Sequence, residues 1–255
     1  MKIGVIGLGL IGGSIFKTLR EMPEYELVGI SSSVREDNIS NSYDTLKDCD
    51  LVFVCTPMNA TLDVLDRLES VLSQKTIVTD VCSLKGFVTK KKYTYNFIPS
   101  HPMAGTEHSG WENSFIGLFK GANWVITPIN GEVTNAQEVL ETVIKKLGAN
   151  IIITTPEEHD EAVAYISHLP LVIAQALCAN IKDNKLAQIL ASSGFKDTTR
   201  LALSNVEMAS DMVNLNKKNI ETAYASFSSS FNDLLKEDYM QKALNIKNMR
   251  KALYD

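Results

Sequence analysis

The chain has 255 residues, 45 % of them apolar, and a formal net charge of -5. That length can bury one large core or two ordinary ones, and the acidic balance argues against nucleic acid or an anionic membrane as a partner. The cysteines, Cys49, Cys55, Cys82 and Cys178, make no CxxC pair and no zinc-spaced Cys/His cluster, so no metal site is expected and a reducing cytoplasm is.

In chain order, residues 2–6 (KIGVI) form a short β-branched run expected to be a buried strand. The apolar start IGVIGLGLIGGSIF is too short to cross a bilayer, is dense in glycine and ends at Lys17, so it is read as neither signal nor anchor. IFKTLREM has helical character. YELVGIS (25–31) and DLVFVCTP (50–57, stopped by Pro57) are the next strands. NATLDVLDRLESVL places Leu62, Leu65, Leu68, Val71 and Leu72 on a helical stripe. TIVTDV (76–81), YNFIPS and NWVITP are further strands, VLETVIKKL is a helix, and NIIITT closes the series near residue 155. Strands alternating with helices predict a parallel sheet covered on both faces.

After Thr155 the pattern changes. Pro156 suits the first turn of a helix, and the remainder reads as successive helices. Ile220, Tyr224, Phe227, Phe231, Leu234 and Leu235 make one apolar stripe, and Met240, Ala243, Leu244 and Leu253 suggest another. The expectation is an α/β unit over residues 1–154 and an all-α unit over 155–255. Long apolar stripes must find partners, which predicts a homodimer.

Gly7, Gly9 and Gly12 give G-x-G-x-x-G directly after the first strand and at the start of a helix. The first glycine permits a tight turn, the second lets a pyrophosphate approach the backbone, and the third lets helix and strand pack closely. The helix N-terminus then faces the phosphates. The first unit is therefore expected to be of the dinucleotide-binding Rossmann type, with Gly7, Leu8, Gly9, Leu10, Ile11 and Gly12 along the cofactor and Thr56 and Pro57 at the end of a neighbouring strand. An acid about 20 residues on would hold the ribose of NAD. Here the second strand ends in Ile30-Ser31-Ser32-Ser33, with Glu36 late and Arg35 nearby. Ser31, Ser32 and Arg35 suit a 2′-phosphate, so the cofactor is NAD+ or NADP+, with NADP+ tolerated or preferred as the hypothesis.

GLGLIGGS, DVCSLKG (80–86), HPMAGTEHSG (101–110), SHLP (167–170) and GFKDTTR (194–200) occur in this order. Together they resemble the prephenate/arogenate dehydrogenase family of tyrosine biosynthesis, over nearly the whole chain. HPMAGTE with GFKDTTR is the most specific part. The resemblance implies a dinucleotide-binding domain followed by a helical dimerisation domain. It also implies an oxidative decarboxylation in which a ring hydride passes to the nicotinamide, the ring carboxylate leaves as CO2, and the ring becomes aromatic. The substrate would be prephenate or arogenate, an alternative the sequence leaves open.

By this resemblance His101 hydrogen-bonds the substrate hydroxyl and helps withdraw its proton, a role that suits a neutral imidazole. Ser83, just after a strand end, assists it near the nicotinamide, although a helix N-cap is an equally simple use of that serine. Arg200 binds a substrate carboxylate through its two-pronged guanidinium. His168 faces the substrate, on a helix that Pro170 is expected to kink. His159, nine residues earlier and roughly opposite on a regular helix, is read as a residue of the helix start. Glu107 and Asp197, paired with Lys196 or Arg200, would orient the cations or gate entry. Asp80 and Lys85 flank Ser83 and receive no role.

Two departures stand out. A Trp often found after the arginine is missing, with Ala209 and Ser210 in that segment, and so is the acid after the second strand. The length is expected to leave no room for an appended regulatory domain or a fused chorismate mutase. The competing readings are a β-hydroxy acid dehydrogenase or pyrroline-carboxylate reductase, which share the glycine loop without HPMAGTE, and a non-catalytic dinucleotide sensor, which would carry a broken His101, Ser83, Arg200 set.

Overall fold

The computed structural model describes residues 1–106, 108–129 and 134–254. Six strands, β1 (Lys2–Ile6), β2 (Glu26–Ile30), β3 (Ile39–Ser40), β4 (Leu51–Val54), β5 (Ile77–Asp80) and β6 (Asn96–Phe97), form one parallel sheet in the order β3-β2-β1-β4-β5-β6. Helices α1 (Leu10–Arg20) and α2 (Met58–Leu68) connect strands across it. The strand order reverses direction between β1 and β4, and ligands of such sheets bind in the crevice outside the strand ends at that point.

Alternation along the strands explains the two-faced burial. Ile3 and Val5 of β1 and Leu51 and Phe53 of β4 face one apolar cluster, while Ile6, Val52 and Val54 face another. With both faces covered, the strands read as continuous apolar runs. The first cluster holds Phe16, Phe53 and Trp124, all fully buried, and each contributes about 1.5–3 kcal/mol by burial. The second takes in Leu65 and Leu68 of α2 together with Val163, Leu171, Ala209 and Met212 from the helical half, so the two halves share one core.

The strands after β6 do not extend the parallel sheet as expected. β7 (Ser100–Pro102), β8 (Asn123–Ile126) and β9 (Asn150–Ile153) form a separate three-stranded sheet, antiparallel between β7 and β8 and parallel between β8 and β9, with α3 (Asn135–Lys146) between the last two. The cause is local. Pro99 has no N–H to give a ladder, and the next N–H, of Ser100, goes to the carboxylate of Asp80 at 3.3 Å.

That carboxylate belongs to a fully buried ion pair with Lys85. The Lys85 ammonium also donates to the Ser100 carbonyl at 2.6 Å, and Asp80 Oδ2 accepts the Cys82 N–H at 2.9 Å. Trp124 Nε1 donates to Ser100 Oγ at 2.9 Å. The end of β5 and the start of β7 are thus joined by charge and by direct hydrogen bonds.

The helical half begins with α4 (Pro156–Val163), opened by a reciprocal capping box: Thr155 Oγ1 accepts from Glu158 N and Glu158 accepts from Thr155 N, with Pro156 in the first turn. A π-helical turn, Ala164–His168, leads into α5 (Leu169–Asn180), and Leu169 N–H reaches back to the Ala164 carbonyl. Where a kink was expected at Pro170, the structure has this π turn ahead of it. Proline cannot donate to the carbonyl four residues back, and the wider turn absorbs the mismatch. By length and composition alone Pro156–Asn180 could cross a membrane, with a third of its most apolar window buried here; core helices of globular proteins pass the same test.

Then follow α6 (Lys185–Leu190), α7 (Ser193–Thr198), a 3-10 turn at Arg200–Leu203, α8 (Val206–Leu215), α9 (Lys217–Leu234) and α10 (Tyr239–Ala252). Of the predicted α9 stripe only Ile220 is buried; Tyr224, Phe227 and Phe231 are exposed and line up ring against ring. No residue of α10 is buried.

Breaking a buried ion pair from one side strands the other charge. Lys85→Met is expected to cost about 3–5 kcal/mol in denaturant unfolding, and the double variant Asp80→Asn/Lys85→Met is expected to recover part of that loss. A cost within 0.5 kcal/mol, the range of an ordinary surface substitution, would contradict the role given to the pair.

Candidate active site

The glycine loop meets each demand of a phosphate cradle. Gly7 has φ +84°, and a methyl group there would lie 2.6 Å from the Cys55 carbonyl oxygen. A methyl group on Gly12 would collide with the Gly7 carbonyl. Around Gly9 the space is open within 4 Å. α1 starts at Leu10 with no acidic residue in its first turn and no side chain capping its N–H groups, so the positive end of the helix is available to an anion. Cys55, Thr56 and Pro57 follow β4 on the opposite lip, where Thr56 Oγ1 lies 3.0 Å from Thr61 Oγ1. Leu8 is buried and Leu10 and Ile11 are partly exposed. These residues fit a dinucleotide.

At the end of β2, Ser31 Oγ accepts the N–H groups of Ser33 and Val34. Arg35 donates to the carbonyls of Val34 and Ser32 at 3.0 and 2.9 Å. Glu36 is held by Arg20 at 3.0 Å. A serine turn and a guanidinium border this lip, and its first carboxylate is already neutralised.

His101 is the middle residue of β7. Ser100 and Pro102 point into the core, and strand alternation turns the imidazole to the other face. Its Nδ1 lies 3.0 Å from Nε2 of His159, and His159 Nδ1 donates to Asp160 Oδ1 at 2.8 Å. The Asp160 carboxylate also accepts the backbone N–H groups of Lys85 and Gly86, both at 2.8 Å. Burial pushes the His101 imidazole well below the usual histidine range, helped by the charges of His159, Lys85 and His168. It is therefore neutral at physiological pH.

His159 and Asp160 are the residues sequence reasoning missed. His159 does occupy the first turn of α4, as expected, yet it is buried and joined to His101. The reading that set His159 and His168 on opposite helix sides fails because of the π turn. At about 100° per residue, nine residues make a half-turn; one extra residue in a turn returns His168 to within about a quarter-turn of His159. His168 is fully buried, with Nδ1 3.1 Å from Asn216 Nδ2 and Nε2 without a partner among the described residues. Burial lowers its pKa to about 4, against a smaller opposing effect of Asp160.

Ser83 is not a helix N-cap: the first helical turn after it, Val88–Lys90, is capped by Phe87. Its hydroxyl lies 3.5 Å from Met58 Sδ, and no hydrogen bond joins it to His101. Arg200 opens its 3-10 turn exposed, with no hydrogen bond or ion pair among the described residues. Lys196 and Asp197 are exposed on α7, so the expected pairing of Asp197 with Lys196 or Arg200 is absent among them. The turn is tied to the shared core, because Leu201 packs against the apolar cluster that also takes in Val163 of α4 and Met103 of the His101 loop. Glu107 lies outside the described residues. Where a Trp was looked for, Ala209 is buried in that cluster and Ser210 is exposed.

The remainder of the His101 loop is fastened to the glycine-loop helix. Lys17 Nζ donates to the carbonyls of Trp111 and Ser114 at 3.1 and 2.9 Å and sits 4.4 Å from the Trp111 ring centroid. Phe115 N–H donates to Ser14 Oγ at 3.0 Å. Gly13 has no room for a side chain, since a methyl group would lie 2.5 Å from Ser114 Oγ. The second glycine of the GG pair was its sequence signal.

The unfolded chain protonates His168 near pH 6.5, whereas the folded chain resists until about 4. The contribution of a neutral His168 to stability is therefore fully present above about pH 6.5 and is lost as pH falls through this window. Thermal unfolding followed from pH 7 to pH 4.5 should fall more steeply in wild type than in His168→Gln; parallel curves would contradict it.

The matched families complete the picture. Residues 31–153 match the family described as prephenate dehydrogenase, nucleotide-binding domain, and residues 155–247 the one described as prephenate dehydrogenase, dimerization domain. A prephenate dehydrogenase of Bacillus subtilis is 31 % identical over 236 residues, 84 % of this chain, which spans 64 % of that relative's length. The crystal structure of Synechocystis arogenate dehydrogenase superposes with a TM-score of 0.82 at 32 % identity, covering all of both chains. That of prephenate dehydrogenase from Aquifex aeolicus with hydroxyphenyl propionate and NAD+ superposes with a TM-score of 0.87 at 26 % identity, over 100 % of this chain and 98 % of the other. With both of its halves matched in order, the chain belongs to the prephenate dehydrogenase family.

Proposed function

We propose that the protein is an NAD(P)-dependent prephenate dehydrogenase, converting prephenate to 4-hydroxyphenylpyruvate and CO2. The observation that carries this reading is a neutral, buried-edge imidazole, His101, on a loop fastened to the helix of the phosphate cradle. The family membership and the relatives named above support it. The residue ranges 1–154 and 155–255 are taken as the cofactor-binding and the substrate and dimerisation units.

In this reading His101 accepts the proton of the substrate's ring hydroxyl as the hydride leaves the same carbon. The dinucleotide, when bound, supplies the hydride acceptor. Ser83, placed after β5 at the crevice, is positioned to approach the nicotinamide side. Arg200 reaches a substrate carboxylate from its exposed turn, with a guanidinium that can close a two-pronged contact; Lys196 and Asp197 on α7, and Glu107, orient the cations or gate entry in the same reading. His168 offers a polar edge from the helical half.

The 32 % identity to an arogenate dehydrogenase over the whole chain favours arogenate as the second substrate reading. The serine turn and Arg35 beside β2 favour acceptance of the 2′-phosphate of NADP+, since the carboxylate of Glu36 is occupied by Arg20.

A homodimer follows from what one chain leaves uncovered. Leu203 is 88 % exposed, Val206 78 % and Met240 86 %. Apolar surface on this scale calls for a second copy, and Leu203 shares the 3-10 turn that begins at Arg200.

Steady-state kinetics over two substrates and two cofactors test the reading. Turnover of prephenate with release of CO2 is expected, with kcat/KM for NADP+ within about tenfold of that for NAD+, a difference of about 1.4 kcal/mol. A larger preference for NAD+ would discard the cofactor proposal alone. His101→Asn should lose about 10²–10⁴-fold in kcat at unchanged thermal stability. Gly9→Ala should keep its fold and lose dinucleotide affinity, whereas Gly12→Ala should unfold more readily. Sedimentation should give a dimer at micromolar concentration.

A further inference from the structure

Two chains of hydrogen bonds leave Asp160 in different directions, and each ends on a site histidine. The first leaves the side chain. A carboxylate can only accept, and that of Asp160 is clamped by two backbone N–H groups from Lys85 and Gly86. His159 Nδ1, 2.8 Å away, therefore carries the hydrogen. In the neutral ring Nε2 is then a bare lone pair. It faces His101 Nδ1 at 3.0 Å, so His101 donates through Nδ1 and keeps a lone pair on Nε2.

The second chain leaves the main chain. Asn216 Nδ2 donates to the Asp160 carbonyl at 2.7 Å, and Asn219 Nδ2 donates to Asn216 Oδ1 at 2.9 Å. Flipping the Asn216 amide would set oxygen against the Asp160 carbonyl and nitrogen against the Asn219 donor, so its orientation is forced. The remaining N–H of Asn216 Nδ2 points at His168 Nδ1, 3.1 Å away. His168 Nδ1 must accept, and its hydrogen sits on Nε2. That buried N–H is the orphan of the site, with no protein acceptor among the described residues, and a buried unpaired donor is costly unless a ligand satisfies it.

We propose that Asp160 sets both site histidines in opposite tautomers, His101 as a proton acceptor through its side chain and His168 as a hydrogen-bond donor through its carbonyl and Asn216. Only the identity of the substrate rests on the reading above; the tautomers do not. The charged and titratable groups facing His101 are His159, Lys85 and His168, and those facing His168 are Asp160 and His159. When a substrate hydroxyl gives up its proton, the O–H bond breaks and an N–H bond forms at His101 Nε2. The new charge is shared through the Nδ1–H to His159 and balanced by Asp160. His168 meanwhile donates to a substrate oxygen. Asp160, His159 and Asn216 are positioning residues, since each acts through a histidine.

Two-bond proton–nitrogen correlation spectra of the ¹⁵N-labelled protein at pH 8 read the tautomers directly, with the four histidines assigned by His→Gln variants. The expected result is hydrogen on Nδ1 for His101 and His159 and on Nε2 for His168. Hydrogen on Nε2 of His101, or on Nδ1 of His168, overturns the proposal whether or not the protein turns over prephenate. Asn216→Asp places an acceptor against His168 Nδ1. It should move the hydrogen to that atom and raise KM about tenfold or more, with kcat changed less. Asp160→Asn frees His159 to switch tautomer, and should lower kcat about a hundredfold with KM nearly kept. Unchanged tautomers and unchanged constants in both variants would equally overturn it. Absence of wild-type turnover with intact tautomers would instead overturn the substrate reading alone.

Discussion

The buried pair of Asp80 and Lys85 is the constraint from which the rest of the site follows. Two charges removed from water are tolerated only when every remaining donor and acceptor is matched. Here Asp80 takes the N–H groups of Cys82 and Ser100, and Lys85 takes the Ser100 carbonyl. The pair fixes where β5 stops, where the parallel sheet ends and where β7 begins, and His101 is the next residue. The backbone of the same lysine holds Asp160. One six-residue segment thereby registers the parallel sheet, the strand of His101 and the first helix of the second half against one another.

What was legible in the sequence is what depends on neighbours along the chain. The glycine loop, its helix and the strand before it are a local sterical problem, and Gly7, Gly9 and Gly12 solve it as their spacing predicts. The capping box at Thr155 and Glu158 is equally local. His101 and His168 stood out only through motif resemblance, because nothing in their immediate surroundings distinguishes a base from a buried histidine.

The illegible part is long-range. His101 meets His159 across 58 positions, Asn216 meets His168 across 48, and Lys17 meets Trp111 across 94. No periodicity encodes such pairs. The departure of β7 from the parallel sheet is hidden for the same reason, since the group that captures the Ser100 N–H is a side chain 20 residues earlier. The apolar stripes of the helical half were visible, but a stripe does not say whether it faces its own chain or another. On α9 the answer divides within the helix: Ile220 and Ala223 are buried, and the aromatic row after them is not.

The π turn at Ala164–His168 has a consequence for how this helix can vary. Removing one of residues 164–167 would tighten the turn against the ring of Pro170 and would swing everything beyond by about 100°. His168 would leave the site while Asp160 stayed. The length of this turn thus sets the angle between His159 and His168, and a one-residue deletion that leaves every hydrogen-bonding side chain in the sequence would part His168 from Asn216 and Asp160.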